Sequence, residues 1–70
     1  MSAAAWVIVE QDEGLMVNTT RGGDIEVFEV DYDEAKNNDR YTRSKIAECA
    51  NSRLPQDHKD RIIKILEGYL

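Results

Sequence analysis

The chain opens on a run in which apolar side chains do not alternate with polar ones. Ala5 to Gln11 reads Ala-Trp-Val-Ile-Val-Glu-Gln, and its β-branched and aromatic residues predict a strand. Trp6 and Ile8 fall on one face of that strand and Val7 and Val9 on the other, so both faces want cover. Two explanations stand side by side: the second face is partly exposed, as many apolar residues are, or it is a subunit interface. Asp12-Glu13-Gly14 follows, and Gly14 can take the left-handed position of a three-residue hairpin loop. Leu15 to Arg21 reads as a second, more polar strand, and Gly22-Gly23-Asp24 as the next turn. Ile25 to Tyr32 is the third strand, with Phe28, Val30 and Tyr32 on one face and Glu29 and Asp31 on the other. Three strands joined by tight turns predict an antiparallel meander.

From residue 33 the period changes. Asp33 to Asp39 is a polar connector. Asp39 or Thr42 can cap a helix running to about Arg53, whose apolar positions are Ile46, Ala47, Cys49 and Ala50. Leu54-Pro55 ends it, because a residue before proline avoids the helical region. Asp57 is placed to cap a second helix, with Asp60 where a capping box puts its acid. Ile62, Ile63, Leu66, Tyr69 and Leu70 follow at helical spacing and make one stripe. Together these elements predict an α+β fold: a three-stranded antiparallel β-meander followed by two C-terminal α-helices packed on one face. A single small domain is expected over residues 1–70, with the meander over 5–32 and the helical pair over 40–70. The expected core is Trp6, Ile8, Val17, Phe28, Val30, Ile46, Ile62, Ile63 and Leu66.

Charge sharpens this division. Residues 1–39 hold ten acidic side chains against two basic ones, and residues 40–70 hold seven basic against four acidic, within a net charge of −5. A negative pole and a positive pole are expected, and a partner that reads charge. Seventy residues bury only about 60% of the surface the unfolded chain exposes, so a staple or a second copy is in order. Cys49 is the only cysteine, which excludes an internal disulfide and argues against an oxidising compartment. Met1 to Trp6 has no basic segment and no long apolar run, so no signal peptide is expected, and no apolar stretch nears the roughly 20 residues that span a bilayer. A soluble cytoplasmic protein, with no membrane partner, is the expectation.

Little in the chain suggests catalysis. Asp31, Asp33, Asn37 and Asp39 have offsets reminiscent of a calcium loop, but Lys36 replaces the sharp-turn glycine and Thr42 the closing glutamate. His58, the only histidine, has no serine in a nucleophile motif to serve and is expected on the surface. Cys49 is expected as a small apolar helix residue. A chain this short can hardly wall a deep pocket, so neither an enzyme nor a cofactor or metal site is expected. The basic helices could contact phosphates, and look superficially like a helix-turn-helix pair. But Asp57 with Arg61 and Asp60 with Lys64 are favourable i,i+4 pairs, and Lys45 with Glu48 an i,i+3 pair. That leaves Arg40, Arg43, Arg53 and Lys59 as the candidate nucleic-acid contacts. On the acidic side, Glu26, Glu29, Asp31, Asp33 and Glu34 line one strand and its exit. They read either as a solvated edge kept from aggregating by charge or as a row imitating phosphates.

Trp-Val-Ile-Val-Glu (6–10), Gly-Leu-Met-Val-Asn (14–18) and Ile-Glu-Val-Phe-Glu-Val-Asp-Tyr-Asp (25–33) resemble a group of short bacterial, plasmid and phage proteins of no assigned function. Their recurring text is a hydrophobic strand, a glycine turn, a second strand and an exit ending in Asp-Tyr-Asp. The resemblance implies a prokaryotic or mobile-element origin and carries no catalytic residue; Arg40 to Leu70 lie outside it. The expected function is a non-enzymatic protein–protein interaction module, in some form a mobile-element protein that binds or inhibits a host DNA-processing protein. Its binding residues would be Glu26, Glu29, Asp31, Asp33 and Glu34, set against a basic partner surface or in a homodimer. The alternative is a nucleic-acid binder using Arg40, Arg43, Arg53 and Lys59.

Overall fold

The computed structural model describes residues 5–23 and 25–70 of the chain. Three strands, β1 (Trp6–Asp12), β2 (Leu15–Arg21) and β3 (Glu26–Asp31), precede three helices, α1 (Tyr32–Ala35), α2 (Asp39–Asn51) and α3 (Gln56–Glu67). The α+β class is as expected; the strand topology is not. The order is β2-β1-β3, with β1 antiparallel to β2 and parallel to β3. The sheet is therefore mixed rather than an antiparallel meander. The physical reason lies in β1, whose apolar residues on both faces suit the position flanked by a strand on either side, while the more polar β2 goes to an edge. Gly22 and Gly23, with φ of 72° and 137°, do not close a hairpin. They begin the link that carries the chain past the start of β1, where a Cβ on Gly23 would meet the Ala5 Cβ at 3.8 Å. Asp24, the third residue of that turn signal, and residues 1–4, read above for a signal peptide, lie outside the described residues.

The β1–β2 turn is tighter than expected, two residues instead of three. Glu13 (φ 53°) and Gly14 (φ 76°) are both left-handed, the requirement of a type I′ turn. Glycine adopts this conformation freely, but a side chain there costs about 1–2 kcal/mol. Asp33 offsets it from twenty residues away: its carboxylate accepts the Glu13 N–H at 2.9 Å and the Gly14 N–H at 3.2 Å.

Register sets the core. Ile8 lies opposite Phe28 and Glu10 opposite Val30, so Trp6, Ile8, Phe28, Val30 and Tyr32 share one side of the sheet. They join Ala35, Cys49, Leu54, Ile62 and Leu66 in one buried cluster, with Ile46 and Ile63 half-buried against it. Val17, expected in this core, is 57% exposed, because β2 is an edge strand and the buried helix residues gather against β1 and β3.

The helix ends differ from expectation at three places. Asp31 caps a short α1 that the polar connector did not suggest. Asn38, not Asp39 or Thr42, caps α2 by accepting the Tyr41 N–H at 3.1 Å. Thr42 is instead buried, with its hydroxyl 2.8 Å from the Ala35 carbonyl, and fastens α2 to α1. α3 follows directly on Pro55, with no side-chain cap. Asp57 therefore sits inside the first turn, where the helix dipole still favours it.

The contacts fix the direction of each helix. α2 begins where the Tyr41 hydroxyl accepts the Asp31 N–H (2.9 Å) and ends where the Arg53 N–H donates to Glu26 (2.9 Å). α3 begins with His58 packed 4.9 Å from the Trp6 ring and ends at Tyr69, 6.5 Å from Tyr32. The two therefore run in opposite directions along the sheet.

Central placement of β1 makes a stability prediction. Ile8→Ala, at a fully buried site, should cost about 2–5 kcal/mol in urea unfolding, whereas Val17→Ala should stay within about 0.5 kcal/mol. Comparable losses at the two sites would count against this topology.

Candidate interaction surface

The most connected polar group is Glu10, in the middle of β1. Its side chain is only 11% exposed. Arg61 of α3 grips it in two places, Nη1 to Oε2 at 2.9 Å and Nη2 to Oε1 at 2.7 Å, and the Tyr32 hydroxyl donates to Oε2 at 2.7 Å. Burial on its own would raise the Glu10 carboxyl; the hydrogen bonds from Arg61 and Tyr32 and the charge of Arg61 outweigh it and hold the group below its ordinary range. Burial and the Glu10 carboxylate push the Tyr32 phenol strongly up. The hydrogen bond to Glu10 raises Arg61 as well. All three groups are thus locked in one protonation state across neutral pH, which suits a structural tie and not proton transfer.

This tie also removes a local pairing. Arg61 leaves Asp57 for Glu10, and Asp60 accepts from Gln56 (2.8 Å), so neither expected i,i+4 ion pair is among those formed by the described residues. The expected Lys45–Glu48 pair is present at 3.0 Å. Of the ion pairs formed by the described residues, Glu10–Arg61 alone joins the two halves of the charge split; the others lie within one half.

The five acidic residues singled out in the sequence do not form one row. Glu26 accepts the Arg53 N–H. Asp31 accepts the N–H groups of Asp33 (2.9 Å) and Glu34 (3.2 Å) as the α1 cap. Asp33 holds the type I′ turn, and the N–H bonds from Glu13 and Gly14 draw its carboxyl down. Glu34 accepts from Asn38 (3.0 Å). Lys36, which also nears Asp33, is raised by its 2.8 Å hydrogen bond with Asp12. Glu29 alone of the five is exposed without a hydrogen bond or ion pair among the described residues.

Glu29 sits on the side of the sheet opposite the core. In the observed register this side also carries Val7, Val9, Met16 and Val27. Val7 and Val9 are half-buried, while Met16 and Val27 are 64% and 51% exposed. An open groove of about 260 Å³ runs from here over the edge of β3, lined by Val9, Met16, Glu29, Tyr41 and Lys45. Lys45 lies 5.5 Å above the Phe28 ring. Sequence patterning on β1 could have found this face; it could not have shown that Glu29 is the one uncommitted acid of the five.

The basic candidates are dispersed. Arg40 and Arg43 are exposed on the first turns of α2, and Arg53 lies just past its end, about 20 Å away along a helix of 13 residues. Lys59 turns back to the Ala50 carbonyl (3.4 Å). His58, expected on the surface, is half-buried against Trp6. Cys49 is fully buried, and burial pushes its thiol up, the opposite of an activated nucleophile. Among the described residues no three His, Cys, Asp or Glu side chains are grouped to hold a metal ion, and no described helix is long and apolar enough to cross a membrane. Comparison with protein-family models, curated proteins and solved structures returned no match, leaving side-chain geometry as the ground for a function.

Stability should fall on both sides of neutrality. Glu10 titrates below its ordinary 4.5 when folded, so its contribution is full above that pH and is lost as pH falls through the folded value. Tyr32 titrates above its ordinary 10.0, so its contribution is full below pH 10.0 and declines as pH rises beyond it. Glu10→Gln should lower stability at pH 7 by about 1–3 kcal/mol, Arg61 being half in solvent, and should flatten the acid limb of a urea-unfolding series. Tyr32→Phe should flatten the alkaline limb. An acid limb unchanged in Glu10→Gln would assign it to Asp33 and other carboxylates.

Proposed function

We propose that the chain is a non-enzymatic protein-interaction module that binds a partner through the side of the sheet facing away from the core. The observation that carries this is the open face itself: Val7, Val9 and Val27 lie beside an uncommitted carboxylate, Glu29, with Met16, Gln11, Asn18 and Thr20 completing the face, while the other four acids of the strand and its exit are engaged within the fold. Both helices bring their buried side chains to the opposite side, so the helical pair covers one face alone. Exposed apolar groups rimmed by a charge are the composition of a binding surface. The fitting partner presents apolar side chains beside an arginine or lysine, and with the chain at net −5 electrostatic attraction favours a basic protein. A DNA-processing protein is one class with such a surface, in keeping with the mobile-element resemblance.

Direct nucleic-acid binding has less support. Arg40 and Arg43 lie on the first turns of α2, and Arg53 and the Lys59 ammonium near its other end, rather than in one stripe, and affinity for phosphates grows with the number neutralised together.

Val27→Asp and Glu29→Lys, both exposed, should each weaken retention of the partner by roughly tenfold or more, the loss expected at a hot spot, with an unchanged far-UV spectrum. Arg40→Ala with Arg43→Ala should leave it unchanged. Asp31 is unsuitable for this test because it caps α1. Retention that survives both open-face changes, or is lost with the two arginines, would overturn the proposal.

A further inference from the structure

We propose that β2 pairs antiparallel with β2 of a second copy, so that two chains share one six-stranded sheet. The contact uses a strand edge and not the open face, so it stands or falls separately from the partner surface above.

Hydrogen-bond alternation shows what this edge offers. The Asp31 N–H points away from β1, to the Tyr41 hydroxyl, so Phe28 and Val30 direct their backbone groups at β1. In the parallel register those groups meet Val7, Val9 and Gln11. Trp6, Ile8 and Glu10 must then face β2, where they oppose Arg21, Thr19 and Val17. The Thr20 hydroxyl donating to the Trp6 carbonyl at 3.1 Å agrees with this. Met16, Asn18 and Thr20 are left with N–H and C=O groups pointing outward. No hydrogen bond from the described residues reaches them; on the β3 edge the Tyr41 hydroxyl takes the Asp31 N–H, and the acids Glu29 and Asp31 supply the charge that discourages strand pairing there.

Nothing guards this edge. Leu15 to Thr20 contains no proline, no charge and no bulge in its pairing with β1, the devices that ordinarily prevent edge-to-edge pairing. Leu15 and Val17, on the helix side, are 71% and 57% exposed.

The strand is also complementary to itself. A two-fold axis at Asn18 pairs all seven residues of β2: Asn18 with its own copy, Met16 with Thr20, Val17 with Thr19 and Leu15 with Arg21. The outward groups of Met16, Asn18 and Thr20 all meet outward groups. Charge selects the antiparallel sense, because one end of β2 carries Arg21 and the other adjoins Asp12 and Glu13. Antiparallel pairing sets each arginine beside the other chain's acids; parallel pairing would set like beside like. The helices leave room. α3 lies along β1, through His58 on Trp6 and Arg61 on Glu10. Three strand spacings then separate the two α3 helices by about 14 Å, beyond the 8–10 Å of direct helix packing. Leu15 and Val17 of both chains would line the trough between them.

Sedimentation equilibrium of the full chain should give twice the 8.0 kDa chain mass. Asn18→Pro removes only an outward N–H, a change an edge strand tolerates, and should weaken self-association by roughly tenfold or more; Val17→Lys should do the same. Asn18→Cys should cross-link between chains through a short bismaleimide, while Glu29→Cys should not; Cys49 is buried and serves as the silent background. A monomer at all concentrations overturns the proposal, as does a dimer that survives Val17→Lys or cross-links at Glu29→Cys in place of Asn18→Cys. If Asn18→Pro does not fold, Val17→Lys and the cross-linking pair decide.

Discussion

The Glu10 carboxylate holds together three segments that are far apart in the chain. It lies on the central strand, and it is bonded by Tyr32 at the start of α1 and, across 51 positions, by Arg61 of α3. A carboxylate this deeply placed is costly to bury unless its oxygens are satisfied. Here the bidentate arginine and the phenol satisfy both. The same bonds fix the height of α3 along β1, which brings His58 to Trp6 below and Tyr69 to Tyr32 above. Ile62 and Leu66 supply the apolar contact, but apolar contact is non-directional; the ion pair sets the register.

A 70-residue chain cannot cover everything. Its two longer helices bury their apolar residues against β1 and β3 on one side, and the sheet keeps an uncovered face and an uncovered edge. The two surfaces differ in kind. The face offers side chains, four of them apolar, together with Glu29; the edge offers backbone groups at Met16, Asn18 and Thr20. Recognition through the first depends on the partner's side chains. Recognition through the second depends on an extended strand and is nearly indifferent to sequence apart from charge at the ends.

How much of this was legible varied by element. Phe28, Val30 and Tyr32 on one face of β3, and Ile62 and Leu66 on α3, follow from periods of two and 3.6. The two-sided apolar character of β1 was equally plain, and it already indicated a central strand. Gly22-Gly23 obscured that, because positive-φ glycines serve a hairpin and a crossing link alike. Arg61 was misassigned for a similar reason: helical spacing identifies Asp57 as its neighbour, but spacing says nothing of a residue 51 positions away. That four of the five acids also bond within the fold was not legible from composition, which counts carboxylates without showing which cap a helix. Asp31 before Tyr-Asp-Glu-Ala has the form of an N-cap, and that signal was available.

The grip of Asp33 on the β1–β2 turn bears on how the chain is made. A two-residue hairpin is ordinarily a local event, complete within microseconds of its own synthesis. Here the left-handed glutamate at its tip draws, beyond the β1–β2 pairing that flanks it, on a carboxylate twenty residues downstream. As the polypeptide leaves the ribosome, the turn lacks its two Asp33 hydrogen bonds until the first turn of α1 has emerged. Completion of this turn is then a non-local event, tied to the same closure that sets β3 beside β1.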